Sequence, residues 1–283
     1  MAKQAEHDND FLILTDEHGP FHIIGDVHGC FEELLALLQR LHYNIHFNDE
    51  QQQYRVKPPE NFKALFVGDL VDRGPNSPEV LRLVMDMVEA GQAYCVSGNH
   101  DNKLYRQLLG HNVQVRHGLE LTVAQMERYD AAFHERVKVF LGKLPHHIIL
   151  DQGRLVIAHA GLEERLHGRN SKGVRALCLY GPTSGAQDER GLPVRLDWAA
   201  TYCGKAIVVY GHTPVHEPIW RNNTINIDTG CVFGGSLTAL TYPDHELTAV
   251  ESFRQYAHSV RPFIHQTSHE QQPSSPSSPF SSS

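Results

Sequence analysis

Positive charge is the first thing this chain lacks. Its 25 Lys and Arg stand against 33 Asp and Glu, for a net charge of −8 with histidine neutral. That excludes the basic footprint of a protein that tracks along nucleic acid, and no stripe of alternating aromatic and basic residues offers a stacking platform. Cysteine is scarce: Cys30, Cys95, Cys178, Cys203 and Cys231 are odd in number and form no C-x-x-C pair. A disulfide framework and a cysteine-rich zinc site are thereby excluded. No apolar run approaches a membrane span. Met1 to Asp10 is polar, with no apolar segment of the kind that directs secretion. The expectation is a cytoplasmic protein with no membrane partner and no stable hold on nucleic acid. The P-loop pattern G-x-x-x-x-G-K-[ST] is also missing, so no flanking kinase module is expected.

What is there suits a soluble globular chain: 283 residues, 41% hydrophobic and 20% charged. Residues 1–19 read as an N-terminal extension, fraying over its first ten residues. Residues 20–262 read as the folded domain. Residues 263–283 turn into Gln, Ser and Pro, which cannot bury enough apolar surface to offset ordering entropy, so disorder is expected there.

Within the domain, short apolar runs end in polar motifs. Phe21–Ile24 leads into Gly25-Asp26-Val27-His28-Gly29, and Ala64–Val67 into Gly68-Asp69-Leu70-Val71-Asp72-Arg73-Gly74. Tyr94–Val96 leads into Gly98-Asn99-His100-Asp101, Leu155–Ile157 into Ala158-His159-Ala160-Gly161, and Ile207–Tyr210 into Gly211-His212-Thr213. Each run reads as a buried strand that delivers a polar residue at its carboxyl end. Helices are expected over Phe31–Leu41, over Val123–Leu141, and after Ser77-Pro78 as cap and first residue. Thr224–Asp228, Leu237–Thr241 and Leu247–Glu251 read as late strands. Strand and helix in alternation, with an extra β-rich part, give an α/β sandwich whose ligands gather at strand ends.

The motifs carry a consistent chemistry. Asp26 and His28, two residues apart, would share a face and grip one metal. Asp69 is placed to bridge two ions about 3.5–4 Å apart, near enough to activate a water between them. Asp72 is free to orient a histidine, and Arg73 offers a planar fork for a phosphate. Asn99 supplies a neutral oxygen. His100 would protonate a leaving alkoxide, with Asp72 fixing its tautomer. His159 and His212 complete a donor set of N and O without thiolate, which suits Mn, Fe, Zn or Ni better than Mg or Ca. Taken singly, each block reads equally well as a polar turn. The ordered set does not.

The ordered set resembles the calcineurin-like metallophosphoesterase superfamily, in the branch of the phosphoprotein phosphatases. The resemblance implies a four-layer αββα sandwich with mixed sheets. It also implies in-line attack at phosphorus by a hydroxide between two ions. Asp26, His28 and Asp69 would hold the first ion; Asp69, Asn99, His159 and His212 would hold the second. His100 with Asp72 would form the acid pair, and Arg73, Asn99 and His100 would contact substrate. Mn or Ni is favoured, ahead of Fe or Zn. Pro214 stands where many relatives have a second His, so water would complete the first shell. Gly98–Arg106, Leu192–Ala199 and Asn226–Gly235 are similar to PrpE-type bacterial enzymes and to the phosphatase module of bacterial polynucleotide kinase-phosphatases. The substrates so implied are a dinucleoside tetraphosphate first, then a phosphoprotein, then a 2′,3′ nucleic-acid end. A non-catalytic scaffold on the same fold would lack part of the set. Asp228 is carried over as contributing to activity, beside an equal reading as a buried brace. A second phosphate-binding arginine would be Arg175 or Arg195. Thr183–Gly191 reads as a polar loop over the site.

Overall fold

The computed structural model describes residues 10–263. The expected fraying at residues 1–9 and the tail from residue 264 lie outside the described residues.

In chain order the elements are β1 (Phe11–Leu14), β2 (Phe21–Ile24), α1 (Phe31–Arg40), β3 (Asn44–Asn48), β4 (Gln53–Lys57), β5 (Lys63–Phe66) and α2 (Ser77–Glu89). There follow β6 (Ala93–Cys95), α3 (Asn99–Leu108), α4 (Leu119–Met126), α5 (Ala131–Lys143), β7 (His147–Leu150), β8 (Leu155–Ala158) and α6 (Lys172–Tyr180). The last are β9 (Thr183–Gln187), β10 (Pro193–Arg195), β11 (Ile207–Tyr210), β12 (Ile219–Arg221), β13 (Thr224–Asn226), β14 (Ser236–Tyr242) and β15 (Glu246–Glu251).

Successive side chains of a strand point to opposite faces, and here both faces are buried. Ile23, Leu65, Ile148, Ile157 and Val209 meet in one apolar cluster between the two main sheets. Their chain neighbours turn the other way. Ile24 and Phe66 pack with Leu34, Leu37, Val80, Leu81 and Val84 of α1 and α2. On the far side Val156 and Val208 pack on Trp198, Ala199 and Tyr202, and Ala158 packs on Val174 and Cys178 of α6. The result is four layers: helices, a five-stranded sheet, a six-stranded sheet, and α6 with the short turn at Trp198–Thr201. This is the αββα sandwich with mixed sheets expected from the sequence. The five-stranded sheet runs β15-β14-β2-β5-β6, and the six-stranded sheet runs β1-β7-β8-β11-β13-β12. Both are mixed: β2, β5 and β6 are parallel while β14 is antiparallel to β2, and β8, β11 and β13 are parallel while β7 is antiparallel to β8.

Four expectations need correction. The folded unit starts before residue 20, because Phe11–Leu14 pairs with His147–Leu150 as an edge strand. The helix expected over Val123–Leu141 is two helices: α4 ends at Met126, and the Asp130 side chain caps α5 by accepting from Phe133 N at 2.8 Å. Ser77 is not a cap. Asn76 flanks α2, and Ser77 Oγ accepts instead from the backbone N of Asp72 at 3.1 Å. The segment from Thr183 is not a loop but an exposed hairpin, β9 against β10, closed by Asp188 accepting from the N–H groups of Arg190 and Leu192. Among the described residues no helix is long and apolar enough to cross a membrane.

Candidate active site

Six strand ends converge. From the five-stranded sheet, β2 leads to Asp26 and His28, β5 to Asp69, and β6 to Asn99. From the six-stranded sheet, β8 leads to His159, β11 to His212, and β13 to Asp228. The strand expected at Thr224–Asp228 stops at Asn226, which lets Asp228 turn inward. Asp26 and His28 do not continue β2 as extended chain. His28 has φ +45°, and Asp69, Asp72, Arg73 and His212 have φ of 49°, 76°, 71° and 72°. Left-handed backbone at five such residues is strain held by the surrounding fold, a pattern typical of functional sites.

Asp69 is the hub. Its Oδ2 lies 3.5 Å from His28 Nε2 and 3.4 Å from His159 Nε2, and its Oδ1 accepts from His100 N at 2.9 Å. Backbone carbonyls fix both imidazoles: His28 Nδ1 donates to Val71 O at 2.8 Å, and His159 Nδ1 donates to Val67 O at 3.0 Å. Each ring therefore aims its Nε2 inward. Around His159 Nε2 gather Asn99 Oδ1 at 3.1 Å and His212 Nδ1 at 3.2 Å. Two triads, His28–Asp69–His100 and Asp69–His159–His212, hold their donor atoms within 4.8 Å of one another. Asp26 accepts from His212 N through Oδ2 at 3.1 Å, while its Oδ1 is buried without a partner. Asp26 falls outside both triads, yet within electrostatic reach of Asp69 and His159; an unpartnered buried carboxylate oxygen beside such imidazole and carboxylate donors is what a cation would satisfy, so these residues fit divalent ions. Arg73 Nη1 lies 2.6 Å from His28 Nε2, so that contact and an ion compete for one lone pair. A third group, Cys30–Glu33–Cys231, adjoins the cluster, with Cys30 Sγ 3.8 Å from His28 O. Glu33 Oε1 there accepts from Phe253 N and Tyr256 OH.

Gly211 explains how β11 approaches so closely. A Cβ there would stand 1.9 Å from Asp26 Oδ1.

The electrostatics are those of many charges in little solvent. Burial raises Asp26 well above the usual carboxylate range, and Asp228 and Asp69 add to that, against His159. Burial also works to raise Asp69, but His159, His100 and His28 outweigh it and hold its carboxyl well below the ordinary value. Burial alone would lower His159; Asp69 and Asp26 overcome it and raise its imidazole to about 9. Burial, then Arg73, keeps His28 well below its ordinary value, as burial and then Arg195 do for His212. Burial raises Asp228 to about 6 despite a hydrogen bond from Gly230 N. Metal-free, the cluster holds protons that cations would displace.

His100 stands at the first turn of α3. Its Nδ1 lies 2.6 Å from Asp72 Oδ2, and Thr122 Oγ1 donates to Asp72 Oδ1 at 2.7 Å. Arg73 is half-buried, with its guanidinium over the Phe233 ring at 5.2 Å. The two candidate arginines separate. Arg195 reaches His212 O at 3.4 Å and Thr213 Oγ1. Burial and then Arg261 lower it to about 10, against the opposing pull of Asp228, Asp69 and Asp26. Arg175 instead donates to Asn102 Oδ1 at 3.4 Å, in a crevice with Asp10, Ser97 and Tyr105. Two supporting residues escape the sequence reading. Asp101 accepts from Gly98 N and Leu70 N, both at 2.9 Å, binding two motif loops together. Its place inside Gly-Asn-His-Asp was the available signal. Thr122 sits 50 positions from Asp72 with no local signal at all.

The chain is similar to known proteins in sequence and in fold. The calcineurin-like phosphoesterase family model matches residues 19–216. A relative from Anoxybacillus flavithermus, named bis(5′-nucleosyl)-tetraphosphatase PrpE [asymmetrical], is 49% identical over 86% of this chain and 99% of its own. A Geobacillus relative of the same name is 47% identical over 83% of this chain and 95% of its own. Among solved structures, a candidate diadenosine tetraphosphatase superposes with a TM-score of 0.61 at 25% identity, covering 87% of this chain and 99% of that one. A Saccharomyces cerevisiae serine/threonine phosphatase has a TM-score of 0.56 at 16% identity, covering 90% and 85%, and shares the fold.

Proposed function

The chain belongs to the calcineurin-like phosphoesterase family, and from that premise we propose that this metal-dependent hydrolase cleaves dinucleoside tetraphosphates asymmetrically, diadenosine tetraphosphate to ATP and AMP. The observation that carries the substrate is the 44–49% identity, over most of the chain, to relatives all named for that activity.

Asp26, His28 and Asp69 would hold one divalent ion, and Asp69, Asn99, His159 and His212 a second, with Mn or Ni favoured over Fe or Zn. Such ions supply Lewis-acid charge at a phosphoryl oxygen and acidify a water. The chain's own groups do the rest. Arg73, freed from His28, takes the equatorial oxygens in a planar fork. Arg195 supports the same anion from the β9–β10 hairpin, and its partial burial strengthens each charge it meets. His100 carries the proton on Nε2 to the departing oxygen, because Asp72 engages Nδ1 and stabilises the imidazolium. Asp228 braces the wall behind Asp26 and limits its charge. Mostly buried, unpaired cysteines suit a reducing cytoplasm.

The test is metal-stripped protein reconstituted with Mn or Ni, assayed in parallel on diadenosine tetraphosphate, a phosphotyrosyl peptide and an RNA 2′,3′ end. ATP plus AMP at much the highest kcat/KM is expected. Preference for the peptide or the RNA end would overturn the substrate assignment, and no turnover of any, nor of an aryl phosphate, would overturn the catalytic one.

A further inference from the structure

We propose that Lys103, Arg116 and His117 form a subsite for the phosphates beyond the reacting one, on the leaving-group side of His100. This rests on the phosphoryl-transfer reading above and names what that site adds to it: affinity for a polyphosphate chain.

Position carries the argument first. Lys103 follows Asn99 and His100 on α3 at helical spacings of four and three, so it shares their face. Lys103 Nζ donates to the backbone oxygen of Arg116 at 2.5 Å, which ties the segment before α4 to α3. The same segment is tied to the phosphate arginine. Gly118 O accepts from Arg73 N at 3.5 Å, and a Cβ on Gly118 would stand 2.5 Å from that nitrogen. His117 has φ +65° and Gly118 φ +99°, a turn that leaves Arg116 and His117 exposed beside the half-buried Lys103.

Charge carries it next. Lys103, Arg116, His117, Arg73 and His100 lie within electrostatic reach of one another; burial and these neighbours depress His117. The carboxylates that act on Lys103 are Asp72 and Glu120. Asp72 is already engaged by His100 and Thr122, and Glu120 accepts from Gly118 N at 3.1 Å. Lys103, Arg116 and Arg73, crowded together in a chain of net charge −8, repel one another unless an anion joins them, and a neutral His117 can donate a hydrogen bond to that anion. The reacting phosphoryl is matched by Arg73 and the donor cluster. His100 marks where the departing oxygen lies, so the cations beside His100 face whatever that oxygen carries. A single phosphate does not extend there; a row of phosphates does.

The experiment reads inhibition of aryl phosphate hydrolysis by inorganic tripolyphosphate and by orthophosphate, at fixed free metal, in the full-length holoenzyme. It needs no nucleotide, so it stands even if diadenosine tetraphosphate proves not to be the substrate; failure of that substrate in the parallel assay would sink only the earlier reading. Wild type should bind tripolyphosphate about tenfold or more tighter than orthophosphate. The ratio of the two Ki values, taken within each protein whatever its residual rate, should collapse toward one in Lys103→Ala and in Arg116→Ala, and persist in Lys103→Arg. Among the described residues the Arg116 side chain makes no hydrogen bond, so its removal tests charge rather than folding. A ratio near one in wild type, or a ratio unchanged in both alanine variants, would overturn the subsite.

Discussion

His100 Nδ1 and Asp72 Oδ2 stand 2.6 Å apart, and both are buried. The pair fixes which ring nitrogen of His100 faces the departing oxygen, and Thr122 fixes the carboxylate in turn. Replacing His100 by Asn should slow hydrolysis of substrates with poor leaving groups by about 10²–10⁴-fold, and of activated aryl phosphates far less. Equal losses on both would remove the acid role. Asp72→Asn should show the same leaving-group dependence in weaker form.

Close approach of Gly211 to Asp26 makes a sharp structural test. A methyl group at residue 211 would overlap Asp26 Oδ1. Gly211→Ala should lower bound metal per chain, measured by elemental analysis after gel filtration, and lower Tm with it, since an ion that binds only the native state stabilises by mass action. Full metal content with normal activity would show that Asp26 is not held where this geometry requires.

The two arginines should part in kinetics. Arg195→Ala should weaken orthophosphate inhibition by about tenfold, the cost of one charge-assisted contact. Arg175→Ala should stay within about twofold, because its guanidinium is turned to Asn102. A reversed order would exchange their roles.

Acid should destabilise the fold through His147. Burial first, and His167 second, lower it from 6.5 to about 4. Its ring stacks on Phe11, and its Nε2 accepts from Gly168 N at 3.1 Å, which requires the neutral form. Below pH 6.5 the unfolded chain takes a proton that the folded one refuses, so stability falls as pH drops and levels off near 4. The full fall corresponds to about 3 kcal/mol. His22, also lowered to about 4 by burial, adds in the same direction. Denaturant unfolding at pH 7 and 4.5 should show a smaller pH effect in His147→Gln than in wild type; an identical slope would exclude this histidine as the cause.

Sequence alone determined the reaction class, because its signal is local. Each donor follows a run of four or so apolar residues, and a buried strand can only end by delivering its next residues to the sheet edge. The order Asp26, His28, Asp69, Asn99, His159, His212 was legible for that reason, as were the short apolar runs that form the buried central strands. Tertiary structure alone decided what depends on distant pairing. Ser77 looked like a cap, yet Gln125 and Asp72 claim its backbone and hydroxyl from 48 and 5 positions away. Arg175 and Arg195 were equivalent as letters; the hairpin from Thr183 turns Arg195 toward His212, and α6 turns Arg175 toward Asn102. Thr122 reaches Asp72 across 50 residues. A hydrogen bond of that span leaves no periodic trace in the chain, because it is set by how layers pack rather than by which residues are neighbours.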